Sequence, residues 1–184
     1  MMVSSSALIE FYAGRAPDFR GRMIDDIWVM SLDELEYTHD YIQWLFPLRE
    51  RSAVEPDVPV LDEAAIAAFA SIELQRLLER SANVMATFYG FVISGSRLDF
   101  APNAFERQAV WLRSGNHNFL RLTRIMKSLS MLWLPELAAG WFEILGRIYE
   151  SKPAVVGQVT WRFWQDTPSA PPGFTLGPTA RDRR

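Results

Sequence analysis

The stretch from Ser31 to Pro47 restricts the fold more than any other part of the chain. Ser31 followed three residues later by Glu34 is a capping-box pattern, and Pro47 cannot donate a backbone hydrogen bond, so the sequence predicts one helix from Ser31 to Phe46. On a 3.6-residue wheel Leu32, Leu35, Thr38, Tyr41, Ile42, Leu45 and Phe46 fill one side, while Asp33, Glu36, Asp40 and Gln43 fill the other. Tyr37 and Trp44 flank Asp40 on one border, and His39 lies on the opposite border. A helix with so broad an apolar side has to be covered by other elements.

The rest of the chain supplies helices to cover it. Ser6–Ala13 reads as a short helix ended by Gly14, and Arg20–Met30 as a second one carrying Ile24, Ile27 and Trp28. Arg49–Val60, with Pro56 and Pro59, reads as a surface loop. Asp62 caps a helix through Ala70. Ser71 caps a longer one to Gly90, on which Leu74, Leu78, Ser81, Met85 and Phe88 trace one face. Ser94–Pro102 reads as another surface loop, and Asn103 with Glu106 repeats the capping-box pattern. A helix follows from about His117 to Trp133. Pro135 then opens one with the core stripe Ala138, Trp141, Leu145 and Ile148, and a last helix runs from about Val155 to Gln165. No period-2 strand of convincing length is found. The expectation is one all-α domain over 6–166, an irregular bundle of seven or eight helices, with a flexible segment at 1–5 and a Pro/Gly-rich tail without packed structure at 167–184.

Composition fits that reading and excludes several function classes. A chain of 184 residues with 49% hydrophobic content can bury roughly 65 to 70% of its unfolded surface around a single core. With no cysteine there is no disulfide framework, no thiol nucleophile and no thiolate metal site. No run of 18 or more apolar residues occurs, and Met1-Met2-Val3-Ser4-Ser5-Ser6 lacks the features of a signal peptide. A soluble, cytoplasmic protein is therefore expected. A net charge of −3 argues against a generic nucleic-acid or membrane-surface binder. The charges are nevertheless segregated: six acids and no Lys or Arg lie between Met23 and Leu48, and five bases and no acid from Arg107 to Pro135. Docking of the two segments on each other is the simplest consequence.

The helix from His117 has Phe119, Leu122, Ile125, Met126, Leu129, Leu132 and Trp133 on one arc with Asn118 at its centre. A carboxamide there must be hydrogen-bonded, so Asn118 is expected to fix how the helix docks on a buried loop or helix end. On the opposite side Arg113, His117, Arg121, Arg124 and Ser128 form a stripe. Structurally, Arg121 pairs with Asp40 or Glu36; functionally, the stripe meets an acidic peptide, a terminal carboxylate or a phosphate. His39 and His117 are the sole histidines, and with Asp40 they would serve an enzyme as a general acid and base. Glu36-Tyr37-Thr38-His39 matches half of a di-iron bundle site, but Ser114 stands where a second glutamate would precede His117. No metal and no cofactor are expected, and no hydrolase elbow, phosphate loop or zinc-protease motif is present.

His39-Asp40-Tyr41-Ile42-Gln43-Trp44-Leu45-Phe46-Pro47, together with Asn116-His117-Asn118-Phe119-Leu120-Arg121-Leu122-Thr123-Arg124-Ile125, resembles the conserved domain of the opioid growth factor receptor family. The resemblance runs from about Phe11-Tyr12 to Trp161-Arg162-Phe163-Trp164, as in a single-domain microbial member. It implies a non-catalytic receptor domain for an enkephalin-like peptide or small ligand, associated with the nucleus in animals. Tyr37, His39, Asp40, Tyr41, Gln43 and Trp44 would then offer an aromatic and anionic surface to a peptide's amine and rings. Asn116, His117, Asn118, Arg121 and Arg124 would offer a cationic one to its carboxylate.

Overall fold

The computed structural model of the protein describes residues 5–50 and 58–167. Residues 1–4 of the expected N-terminal segment, the tail beyond Thr167 and residues 51–57 of the expected loop lie outside the described residues, and Ser5 already belongs to the first helix. In chain order the elements are α1 (Ser5–Tyr12), α2 (Ile24–Trp28), α3 (Leu32–Tyr37), α4 (Ile42–Leu45), α5 (Glu63–Ala68) and α6 (Ile72–Tyr89). A hairpin of β1 (Phe91–Ser94) and β2 (Arg97–Phe100) follows. Then come α7 (Ala104–Trp111), α8 (Asn118–Met131), α9 (Pro135–Ser151), α10 (Pro153–Val156) and α11 (Gln158–Gln165). The all-α class holds. Eleven helices are found among the described residues, because two of the expected ones are each divided.

Where a helix start depends on local chemistry, sequence and structure agree. The side chains of Ser31, Asp62 and Ser71 accept hydrogen bonds from the backbone N–H of Glu34, Ala65 and Leu74, and Pro135 occupies the first turn of α9. Asn103 is an exception. Its side chain makes no cap, and its backbone (φ −94°, ψ 15°) is not in the extended conformation of the other three. The helix expected over Arg20–Met30 is reduced to α2. Asp18 Oδ1 accepts from the backbone N–H of both Arg20 and Arg22 at 2.9 Å, which holds that stretch as a turn. The last expected helix is divided at Gly157, whose φ of 79° and ψ of 151° lie in a region open essentially to glycine alone.

The hairpin corrects the surface loop expected at Ser94–Pro102. Its strands have four residues each and pair Phe91 with Phe100 and Ile93 with Leu98, around a turn in which Gly95 has φ of 62°. Phe91 and Leu98 point into the core. The hairpin packs on α9, where Gly140 gives the Ser96 carbonyl room to approach.

A single core runs through the described residues, rich in edge-to-face aromatic pairs. Tyr89 meets Trp111 at 5.1 Å and 82°, and Phe91 meets Trp141 at 5.8 Å and 78°. The α6 stripe Leu74, Leu78, Ser81, Met85 and Phe88 is buried, as is the α9 stripe Ala138, Trp141, Leu145 and Ile148. α8 packs mainly on α9, which leaves its polar side for α3 and α4.

Gly140→Ala is expected to destabilise the fold, since an added Cβ would lie 1.9 Å from the Ser96 carbonyl oxygen. Overpacking of this kind costs about 1–3 kcal/mol. Thermal melting should show the midpoint lowered by several degrees, and an unchanged midpoint would contradict the packing described here.

A candidate ligand pocket between the two motifs

The helix expected from Ser31 to Phe46 is broken. α3 ends at Tyr37, Thr38 is extended (φ −95°, ψ 127°), and the helix resumes as α4 at Ile42. The cause is Arg121, from α8. The residue is 5% exposed, and its guanidinium donates from Nη1 to Leu35 O at 2.9 Å and from Nη2 to Thr38 O at 2.7 Å, with a longer contact to Glu36 O at 3.4 Å. The last carbonyls of a helix have no partner within it, and here one planar cation satisfies them. Their dipoles also compensate part of its buried charge. Arg121 was expected to pair with the carboxylate of Asp40 or Glu36; it binds main-chain oxygens instead.

Asn118, fully buried, ties the two motifs together a second time. Its Nδ2 donates to Glu36 Oε2 at 2.9 Å and to Asn116 Oδ1 at 3.0 Å. Its Oδ1 accepts from the Tyr89 hydroxyl at 3.2 Å and from Arg121 at 3.3 Å. Asn116 Oδ1 also accepts the Asn118 backbone N–H at 2.9 Å. The expectation that Asn118 docks α8 on a buried helix end is met, and the acidic and basic segments do meet through Glu36.

Asp40 goes elsewhere. Its carboxylate pairs with Arg20 Nε and with Arg22 Nη2, each at 2.8 Å, while Arg22 also pairs with the buried Asp18 at 2.6 Å. Burial alone would raise the Asp40 carboxyl's pKa. Arg22 and Arg20 outweigh that and hold it below the ordinary carboxylate range. Tyr41 and Trp44 are core residues. Burial pushes the Tyr41 hydroxyl up to about 12 and it donates to Leu35 O at 3.0 Å, while Trp44 packs on Phe11 at 5.0 Å. Gln43 is buried, its amide nitrogen oriented to donate to the carbonyls of His39 and Asp40 at 3.2 Å. Tyr37, at 80% exposure, stands away from these groups.

The break carries His39 against α8, and a pocket of about 390 Å³ opens there. It is lined by His39, Ile42, Gln43, His117, Leu120, Arg121 and Arg124. Five of these were candidate residues from the sequence. Ile42 and Leu120 were not, although Leu120 had a legible signal: it is apolar between His117 and Arg121 on the polar side of α8, and it is 71% exposed. The imidazoles of His39 and His117 meet edge to face, 4.8 Å between centroids at 86°. Arginine has donors only, so His39 Nδ1, 2.9 Å from Arg121 Nη2, is the acceptor in that bond. His117 Nε2 lies 3.7 Å from Glu36 Oε1. Burial lowers the His117 pKa, Arg121 and His39 lower it further, and Glu36 opposes them. Arg124 is half-buried and donates to Phe46 O at 3.1 Å. Among the described residues no group of three or more acidic or histidine side chains could hold a metal ion.

The fold and this interlock of two motifs define a small, mostly helical domain with a pocket between them. The chain belongs to the family defined by the opioid growth factor receptor (OGFr) conserved region, which matches residues 4–145. It is 38% identical over 124 residues to the opioid growth factor receptor of Rattus norvegicus and 36% identical over 124 to that of Homo sapiens. Each match covers 65% of this chain, and respectively 21% and 18% of the relative. The opioid growth factor receptor-like protein 1 of Xenopus tropicalis is 35% identical over 132 residues, covering 67% of this chain and 25% of the relative. The chain thus spans about a fifth to a quarter of these relatives. No solved structure matches. Among the described residues no helix is long and apolar enough to cross a membrane.

Arg121→Ala strips the donors from several buried carbonyls and is expected to destabilise the fold by on the order of 3 kcal/mol. Arg121→Lys should recover little, because one ammonium cannot span the same acceptors. Urea unfolding measures both. The depressed Asp40 pKa gives a second expectation. Its stabilising contribution is in force at neutral pH and is lost as pH falls through and below the ordinary carboxylate range. Asp40→Asn should flatten that acid-side loss in melting curves taken from pH 7 to pH 3.

Proposed function

We propose that the protein is a non-catalytic helical domain that binds a peptide or small ligand in the pocket between the α3–α4 connection and α8. The observation that carries this reading is a concave site built by two sequence motifs far apart in the chain. Not all of its lining is spent on the fold. Arg121 and Gln43 serve the main chain, whereas the exposed Leu120 and the partly exposed His117 are set toward solvent at the pocket's edge. Its volume is at the lower end of what small-ligand sites enclose. Of the residues expected to form a cationic surface, His117, Arg121 and Arg124 line the pocket; of the aromatic and anionic set, His39 and Gln43 do, whereas Tyr41 and Trp44 are core and Asp40 is paired.

The names of the relatives designate receptors for an opioid growth factor, which makes the enkephalin pentapeptide the first ligand to examine for this chain. A cytoplasmic location belongs to the same proposal. A catalytic reading has one observation behind it, the contact of His39 with His117. Against it, Asp40 is held by Arg20 and Arg22, and His39 Nδ1 is occupied by Arg121, so the expected trio of groups is not assembled.

The two histidines are the sole histidines of the sequence and both line the pocket, so their ring proton signals report on it directly. Titration with Tyr-Gly-Gly-Phe-Met should shift both signals saturably, and a scrambled peptide should not. Leu120→Glu should weaken binding by about tenfold or more, equivalent to roughly 1.4 kcal/mol, with the melting temperature unchanged. Equal responses to the two peptides would remove the enkephalin assignment. No response to any ligand would remove the pocket's role.

A further inference from the structure

Resting on the ligand-pocket reading above, we infer that the ligand presents a carboxylate on an apolar chain and is taken up together with a proton that settles on His117. The lining combines two apolar walls, Ile42 and Leu120, with two guanidinium groups and two imidazoles, and it includes no acidic residue. Its positive charge is unequally available. The Arg121 Nη groups are directed at Leu35 O, Thr38 O, Asn118 Oδ1 and His39 Nδ1, so Arg121 contributes field rather than donors. Arg124 and the imidazoles therefore have to meet the anionic group.

The two imidazoles are not equivalent. His39 accepts from Arg121 at Nδ1, so its neutral ring carries the proton on Nε2 and can donate with no change of charge. His117 has no such fixed partner. Its Nε2 is 3.7 Å from Glu36 Oε1, beyond hydrogen-bond length, and its side chain is 40% exposed. The groups facing it are Glu36 from α3, His39 from the α3–α4 connection, and Arg121 from the first turn of α8. Arg121, His39 and burial disfavour the imidazolium, and Glu36 favours it. An arriving carboxylate adds a second negative charge beside the ring and shifts that balance toward the protonated form. By linkage, the same ligand then binds more tightly as pH falls. Because Glu36 is already close, the site suits one added negative charge rather than the two of a phosphate.

The test uses hexanoate, hexanamide and inorganic phosphate as probes of the full chain, with the two histidine ring protons followed from pH 6 to pH 8. Hexanoate is expected to bind several-fold more tightly at pH 6 than at pH 8. At saturation it should raise the His117 titration midpoint by about one unit, which makes about tenfold the ceiling of that pH dependence. Hexanamide should bind weakly and without pH dependence. His117→Gln, at a partly exposed position, should reduce hexanoate affinity at pH 6 to about its pH 8 level and so abolish the pH dependence. Equal binding of hexanoate and hexanamide, or a hexanoate affinity that does not change with pH, would overturn the inference and leave the pocket reading standing. Tighter binding of phosphate than of hexanoate would overturn the carboxylate assignment. If none of the probes moved either histidine, the inference would fall, and the pocket reading would be decided by the peptide titration.

Discussion

One guanidinium determines the geometry of this domain. A helix that ends inside a protein leaves carbonyls which water cannot reach, and such an end is tolerable only where donors are supplied from elsewhere. Arg121 supplies them to Leu35 and Thr38 from a helix more than eighty residues further along the chain. The consequences follow in order. α3 stops at Tyr37, the chain turns through Thr38 to Tyr41, and Tyr41 drops into the core with its hydroxyl also on Leu35 O. His39 is carried to within contact of His117. Without the break there would be a continuous amphipathic helix and no pocket at this place.

The same turn explains how the charges sort themselves. A continuous helix would have set Glu36 and Asp40 one turn apart on one face, both available to α8. The break separates them. Glu36 stays at the α8 interface, held by Asn118 and close to His117, while Asp40 turns to the Asp18–Arg22 turn. The two acids thus do different work. One completes the electrostatic surroundings of the pocket, and the other locks the segment before α2 onto the α3–α4 connection. Asn118 holds the first arrangement together because its amide uses both ends, donating to Glu36 and accepting from Tyr89 and Arg121.

What the sequence made legible and what it hid divide along the range of the interactions involved. Helix starts at Ser31, Asp62 and Ser71 depend on groups three residues away, and they could be read from the chain. The polar residue at the centre of the α8 arc could be read too, since a buried carboxamide demands partners whatever the fold. The break in the first motif could not, because its cause lies on another helix. The misplacement of Trp44 follows directly: on an unbroken wheel it borders Asp40, but after a turn at Thr38 it faces Phe11 instead. The hairpin was hidden for another reason. Four-residue strands carry too few alternations to register a period, and the Ser94-Gly95-Ser96 turn reads as a loop. Leu120 was overlooked because an isolated apolar residue on a polar face is ordinary until a cavity is seen beside it.

The family match ends at residue 145, yet the core continues past it. Trp161 of α11 lies flat between two α9 rings, 4.6 Å and 3° from Tyr149 and 5.2 Å and 15° from Phe142. Trp164 is fully buried, edge-on to Phe119 at 5.9 Å, and its Nε1 reaches Phe119 O at 3.4 Å. Phe119 is in the first turn of α8, two residues after His117 and two before Arg121. That turn is therefore held from two sides, by the α3 carbonyls on Arg121 and by α11 on Phe119. Every residue lining the pocket falls within the matched region, but the position of the helix that bears three of them depends on tryptophans outside it. Divergence in α11 can consequently alter the pocket without changing a single residue that touches a ligand.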